Sequence, residues 1–286
     1  MRSTPAVVHL CFALILGVQV GCDKRQDSAI LDIQNDPRFR YQNGLSALRA
    51  GNAERAVRDL EAARTLDPDN VDVLHALGLA LSQSGNNSRA ADILAEAIER
   101  NPKSPQLLNA RGVVLLRARR FDEAIHDLQA SLAPELHYET PEAALLNLAD
   151  AFTETQRFDD AIRTLERGLL LRPRSGAIET ALCRTYDRGQ RPDDALRACQ
   201  QAIQDEPTYA AGYFELGKLE LRRGRNAEAL DAFEKTLKLE PRGDLADQAR
   251  RFRTLLAPES AATGSAAPGG APPAKELVPP EAGAPR

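Results

Sequence analysis

A period of 34 residues is the feature of this sequence that most constrains its fold. The segment Ala56–Pro68 combines small residues, leucines at helical spacing and a closing proline, and it returns in varied form five more times. Gly44 and Ala56, for example, recur 34 positions later as Gly78 and Ala90. Self-similarity at a fixed period is typical of repeat proteins, in which similar units stack on one another. The middle of the chain is therefore predicted to be a stack of six units.

Within each unit the pattern predicts two helices. Positions 4, 7, 8 and 11 share one helical stripe, as do positions 20, 24 and 27. Small residues at positions 8 and 20 let the two helices approach closely, and a proline at position 32 ends the second. These features resemble the tetratricopeptide repeat (TPR), which implies an all-α superhelical solenoid. The six repeats are placed at residues 37–70, 71–104, 105–141, 142–175, 176–209 and 210–243, with a capping helix at 244–257.

Two features interrupt the regular spacing. Repeat three is longer than the period by three residues, which fall within 133–141 and are consistent with a tolerated loop. Repeat five carries Cys183 and Cys199 at positions 8 and 24, on the seam between its two helices. Because an exported chain meets an oxidising compartment, these cysteines are predicted to form a structural disulfide, with two buried thiols as the alternative.

The N-terminus has the pattern of an export signal. Arg2 precedes an apolar run from Ala6 to Val20, which is typical of a secretory signal peptide over residues 1–21. The run is shorter than the roughly 20 apolar residues that a membrane-spanning helix needs. After Pro258 the chain is rich in alanine, proline, glycine and serine, so residues 258–286 are predicted to be a disordered tail.

The end of the apolar run carries a second signal. The sequence Val18-Gln19-Val20-Gly21-Cys22 resembles a bacterial lipobox, which implies lipidation of Cys22 and a tether over residues 22–36. Gln19 departs from the motif, and ordinary signal cleavage is the alternative. A lipid would anchor the chain to a membrane without spanning it. Asp23 follows the cysteine, and in some bacteria this residue marks lipoproteins that stay at the inner membrane.

The composition and the scattered polar residues argue against several functions. A net charge of -4 provides no basic field for nucleic acid. His75, His126 and His137 lack metal-ligand spacing, and no glycine-rich phosphate loop is present. The repeats also leave no room for a catalytic domain. We therefore expect a binding protein that is not an enzyme and has no metal site and no cofactor.

The resemblance to TPR proteins also predicts where a partner binds. In that family the first helices line the inner, concave surface through positions 2, 5, 9, 12 and 13, which face away from the seam. Apolar residues there suggest a groove for an amphipathic helix or strand, although packing against neighbouring repeats is the alternative. Repeat five contributes Thr180, Arg184, Asp187 and Arg188 instead, so the groove is predicted to be charged toward its C-terminal half. The predicted groove residues are Tyr41, Leu45, Leu48, His75, Leu79, Asn109, Val113, Leu116 and Leu146.

The chain as a whole resembles one family. A lipobox-like start, six repeats, and the junction Leu136-His137-Tyr138-Glu139-Thr140-Pro141-Glu142 leading into Asn147-Leu148 are similar to the type IV pilus pilotins PilF, PilW and Tgl. The resemblance implies a periplasm-facing lipoprotein, with the outer membrane favoured, that helps secretin subunits reach that membrane and assemble. Cys22 would be the anchor, and the early repeats would hold a secretin segment. The alternative is a periplasmic lipoprotein adaptor for another cell-envelope complex.

Overall fold

A computed structural model describes residues 35–136, 138–139 and 141–256 of the chain. These residues form thirteen α-helices and contain no strand, which confirms the predicted all-α solenoid. The predictions for the signal peptide, Cys22, His137 and the C-terminal tail lie outside the described residues. The helices are α1 Pro37–Arg49, α2 Ala53–Leu66, α3 Val71–Gln83, α4 Asn87–Arg100, α5 Pro105–Arg117, α6 Phe121–Ser131, α7 Glu142–Glu154, α8 Phe158–Leu171, α9 Gly176–Arg188, α10 Pro192–Asp205, α11 Ala210–Arg222, α12 Asn226–Leu239 and α13 Asp244–Leu256.

Short polar side chains cap the first helix of several repeats. Asp36 accepts a hydrogen bond from the backbone N–H of Arg38 at 2.8 Å, and Asn70 accepts from those of Asp72 and Val73. Ser104 and Ser175 likewise accept hydrogen bonds from backbone N–H groups at the starts of α5 and α9. Such caps satisfy backbone donors that the first turn of a helix leaves unpaired. The caps place the helix starts close to the repeat boundaries read from the sequence.

Each turn between the two helices of a repeat requires one left-handed residue at position 15. Glycine fills this position in three repeats, as Gly51, Gly85 and Gly224, with φ between 74° and 85°. In repeat five the left-handed residue is Gln190 at φ 59°, whereas the adjacent Gly189 has φ −79° and ends helix α9. Position 15, rather than the glycine itself, is therefore the constant feature of the turn.

The core runs along the seam between the helices of successive repeats. It is built mainly of alanine and leucine, including the fully buried Leu60, Leu94, Leu128 and Leu165 at position 24. At the C-terminal end, α13 covers the last repeat: the Phe252 ring stacks on that of Phe233 at a centroid distance of 4.9 Å. A solenoid needs such a cover because its last repeat would otherwise expose an apolar face.

The contacts between helices show which of them line the inner surface. Every odd-numbered helix from α1 to α11 packs against its partner within the repeat and also against the next odd-numbered helix. No pair of successive even-numbered helices packs to that extent in the described part of the chain. Elements that lie closer together are on the inside of a curved stack. The odd-numbered helices therefore line the inner surface, and the even-numbered helices lie outside.

Candidate partner-binding face

We define the inner face as positions 5, 9, 12 and 13 of the odd-numbered helices. It contains all nine predicted groove residues. Leu79 is exposed, with 40% of its surface accessible, and the other eight are partly buried. The five that also pack against the core are Tyr41, Leu45, Leu48, Leu116 and Leu146. Packing against the core fixes the positions of these side chains while leaving part of each accessible.

Three successive odd-numbered helices place an apolar residue at position 9. Leu45 of α1, Leu79 of α3 and Val113 of α5 form what we call the apolar row. Adjacent helices pack about 8–10 Å apart, so the row extends roughly 16–20 Å across repeats one to three. An apolar strip of this length on a concave surface can receive a short amphipathic segment of another protein.

The residues beside the apolar row at position 5 are neutral or poorly ionised. Burial lowers the pKa of His75 below its ordinary 6.5, and the nearby Asp72 carboxylate opposes this shift only in part. The His75 ring is therefore uncharged at neutral pH. Burial also raises the pKa of Tyr41, with a further contribution from Asp72. Position 5 therefore carries no fixed charge in repeats one to three.

An asparagine pair continues this side of the face into repeat four. The side-chain N–H of Asn147 donates a hydrogen bond to Asn109 Oδ1 at 3.0 Å, which links α5 to α7. Both side chains are partly buried, and amide groups of this kind can hydrogen-bond to the backbone of a bound segment. We did not predict Asn147 from the sequence, because it occupies position 6, next to the positions expected to face a partner.

Toward the C-terminus the inner face is charged, and its charges pair with one another. An ion-pair ladder joins α7, α9 and α11. Arg184 bonds to Asp150 at 2.6 Å and lies 4.0 Å from Glu215, which also pairs with Lys218 at 2.7 Å. Its remaining pairs are Glu154 with Arg188 and Asp187 with Arg222. These charges hold neighbouring repeats together, and each already has a partner within the chain.

A pocket lies between the inserted segment and repeat four, beside the inner-face residue Leu146. A cavity of about 590 Å³ lies between this segment, the start of α7 and the end of α8. Leu170 lies in the same part of the chain, with 84% of its surface accessible. The sequence indicated an insertion and a family-like junction here, but it did not indicate a pocket. The residues that line the pocket include Tyr138, Pro141, Leu145, Leu146, Gly168 and Leu171.

The cysteines of repeat five are bonded to each other. Cys183 of α9 and Cys199 of α10 form a disulfide, with their Cα atoms 5.1 Å apart. Both cysteines are fully buried, so the bond joins the two helices of the repeat and does not face a partner. Within residues 35–136, 138–139 and 141–256 there is no cluster of side chains suited to a metal ion and no helix able to cross a membrane.

The stack of helix pairs and its partly apolar inner face define a helical-repeat scaffold for binding other proteins. Residues 47–113 match a family model described as the tetratricopeptide repeat, and residues 109–178 and 180–244 match a second model with the same description. The chain belongs to the tetratricopeptide-repeat proteins. Modules of this family typically bind proteins and do not catalyse reactions. No curated protein sequence matches the chain.

Several solved structures share the fold. PilW, described as a widely conserved type IV pilus biogenesis factor, aligns with a TM-score of 0.62 at 20% identity, over 75% of this chain and 98% of that one. PilF from Pseudomonas aeruginosa aligns with a TM-score of 0.56 at 20% identity, over 75% and 96% of the two chains. A tetratricopeptide-repeat protein from Parabacteroides merdae gives 0.65 at 17% identity, over 77% and 84%. At these identities the similarity demonstrates a common fold.

Proposed function

We propose that this protein is a membrane-anchored scaffold that holds a segment of a partner protein on the inner face of repeats one to three. The observation that carries the proposal is the exposure of Leu79 at the centre of the apolar row. A leucine left in water between two partly buried apolar neighbours gains free energy when a partner covers it. The opposite half of the inner face has its charges paired within the chain, which leaves the apolar row as the better docking surface.

We further propose that the partner is a type IV pilus secretin subunit and that the protein acts as its pilotin. The support is twofold. The lipobox-like sequence ending at Cys22 predicts a membrane anchor, and the repeat stack covers almost the whole length of PilW and PilF. In this role the anchor keeps the protein at the periplasmic side of the outer membrane. The apolar row then holds the secretin subunit while the ring assembles.

The test is genetic. Deleting the gene is expected to abolish heat-stable secretin multimers in membrane fractions, and wild-type protein supplied in trans is expected to restore them. The variant Leu79→Glu, produced at the same level, is expected to fail in this complementation. Normal multimers and normal pili in the deletion strain would overturn the pilotin role. A scaffold for another cell-envelope complex would then be the function to pursue.

A further inference from the structure

The arginines at position 13 of the inner face fall into two groups. Arg188 and Arg222, in repeats five and six, belong to the ion-pair ladder. Arg49 and Arg117, in repeats one and three, form no ion pair with any carboxylate in the described part of the chain, and both are exposed. Free positive charge on this face therefore occurs beside the apolar row, in the repeats proposed to bind the partner.

Helical spacing places these arginines along one edge of the apolar row. Arg49 lies one turn beyond Leu45, and Arg117 lies one turn beyond Val113, because residues four apart share a helix face. A hydrogen bond of 2.9 Å from Arg117 Nη1 to Ser82 Oγ ties its guanidinium to the neighbouring helix α3. The guanidinium is thus positioned on the inner face, and its other N–H groups remain available to an acceptor.

The residue between the two arginines carries no opposing charge. Gln83 occupies position 13 of α3, one turn beyond Leu79, and it is exposed. Position 2, which lies beyond the opposite side of the inner face, is mixed in sign, with Arg38, Asp72 and Gln106 on the same three helices. One edge of the apolar row is therefore purely basic.

We propose that the segment bound by repeats one to three is amphipathic and acidic. Its apolar side chains cover Leu45, Leu79 and Val113, and its carboxylates pair with Arg49 and Arg117. This inference rests on the proposed binding role of the apolar row and adds the chemistry of the partner. A basic segment would bring like charges together beside the row, which lowers affinity and slows association.

The separation of the two arginines sets the spacing of the acidic residues. Helices α1 and α5 are two packing distances apart, about 16–20 Å. An extended segment rises about 3.3 Å per residue, so its carboxylates would stand about five to six residues apart. A helical segment, which rises about 1.5 Å per residue, would need about eleven to thirteen.

Binding of two labelled peptides to the full chain tests the proposal. The peptides have equal length and alternate leucine with either glutamate or lysine, and fluorescence anisotropy reports their binding. The glutamate peptide is expected to bind at least about tenfold more tightly, and added salt should weaken it because screening reduces charge attraction. The double variant Arg49→Gln/Arg117→Gln is expected to lose this preference.

A matched control uses arginines at the same repeat position that are already paired. The variant Arg188→Gln/Arg222→Gln should retain the full preference for the glutamate peptide, with a circular dichroism spectrum like that of the wild type. The proposal of an acidic segment would be overturned by equal binding of both peptides or by binding of neither. An undiminished preference in Arg49→Gln/Arg117→Gln would overturn it as well. If Leu79→Glu weakens both peptides while the arginine variants change nothing, the docking surface stands and only its charge preference is wrong.

Discussion

The side chain of Leu94 lies directly against the backbone of Gly78, so that a Cβ at residue 78 would fall 2.6 Å from Leu94 Cγ. The same contact between positions 8 and 24 recurs in repeats one and three, where Leu60 lies against Gly44 and Leu128 against Gly112. In repeat five these two positions hold the cysteines of the disulfide. One close approach of two helices thus explains both the glycines and the bond.

Substitution of Gly78 by alanine should therefore destabilise the protein. The added methyl group cannot fit without displacing the fully buried Leu94, and overpacking of this kind typically costs about 1–3 kcal/mol. We expect a loss of this size in the free energy of unfolding, measured by urea denaturation, although alanine is the better helix former. The control is Ser46→Ala on the exposed side of α1, which should change stability by less than about 0.5 kcal/mol. Equal stability of Gly78→Ala and the wild type would contradict the close contact.

Reduction of the disulfide should lower stability in repeat five. The bond closes a loop with a sequence separation of 16 residues, for which the loop-entropy model gives about 3 kcal/mol. We expect the urea midpoint of the wild type to fall when reductant is added. The Cys183→Ala/Cys199→Ala variant should show the lower midpoint with or without reductant. A wild-type midpoint that does not respond to reductant would show that the bond contributes nothing.

Replacement of Leu79 by glutamate should abolish partner binding without unfolding the protein. The side chain is exposed, so the charge is tolerated in the free protein, but a partner covering the apolar row would have to strip water from the carboxylate, which is costly. We expect at least about a tenfold loss of secretin binding in a pull-down titration. Leu66→Glu is a matched control, because Leu66 is 44% exposed but lies at the end of α2, outside the inner face. Undiminished binding by Leu79→Glu would exclude the apolar row as the site.

Stability should depend on pH through Glu179. This side chain is buried at position 4 of repeat five, where repeats two to four have leucine, and one of its oxygens has no hydrogen-bond partner. Burial, together with the neighbouring Asp205 carboxylate, raises the pKa of Glu179 from 4.5 to about 7. The groups around Asp205 are Gln201, which donates to it at 2.9 Å, and Arg174, which lies 3.9 Å away.

The direction of the pH effect follows from this raised pKa. The folded chain holds a proton that the unfolded chain releases, so the stability contribution of protonated Glu179 is complete below about pH 4.5. It is lost as the pH rises through about 7. We expect the melting temperature of the wild type to fall over this range relative to that of Glu179→Gln. The exposed-site control Glu99→Gln should follow the wild-type curve, and parallel curves for all three proteins would refute the assignment.

Lipidation can be tested at Cys22. Bacterial cells labelled with palmitate are expected to yield labelled wild-type protein, whereas Cys22→Ser should remain unlabelled and appear in the soluble periplasmic fraction. Cys11→Ser supplies the control, because Cys11 lies inside the apolar run of the predicted signal peptide. Equal labelling of Cys22→Ser and the wild type would refute the anchor.

The repeat units could be read from the sequence because their causes are local. Positions 8, 20 and 24 of each repeat meet across one helix pair, and the 34-residue period exposes them in every copy. The resemblance to TPR proteins located the inner face, at positions that helix geometry turns away from the seam. The sequence did not indicate the pocket beside Tyr138, because the inserted segment has no counterpart in the other repeats.

The sequence by itself determined the all-α solenoid, the order of the repeats and the residues that share each helix face, because these depend on periodicity along the chain. Only the tertiary structure decided which inner-face residues are available to a partner. Arg49, Arg117, Arg188 and Arg222 occupy the same repeat position and look alike in the sequence. Arg188 and Arg222 pair with carboxylates on the first helix of the preceding repeat. Arg49 and Arg117 form no such pair. Availability depends on contacts between helices of different repeats, and the distances between charges there are set only when the repeats stack.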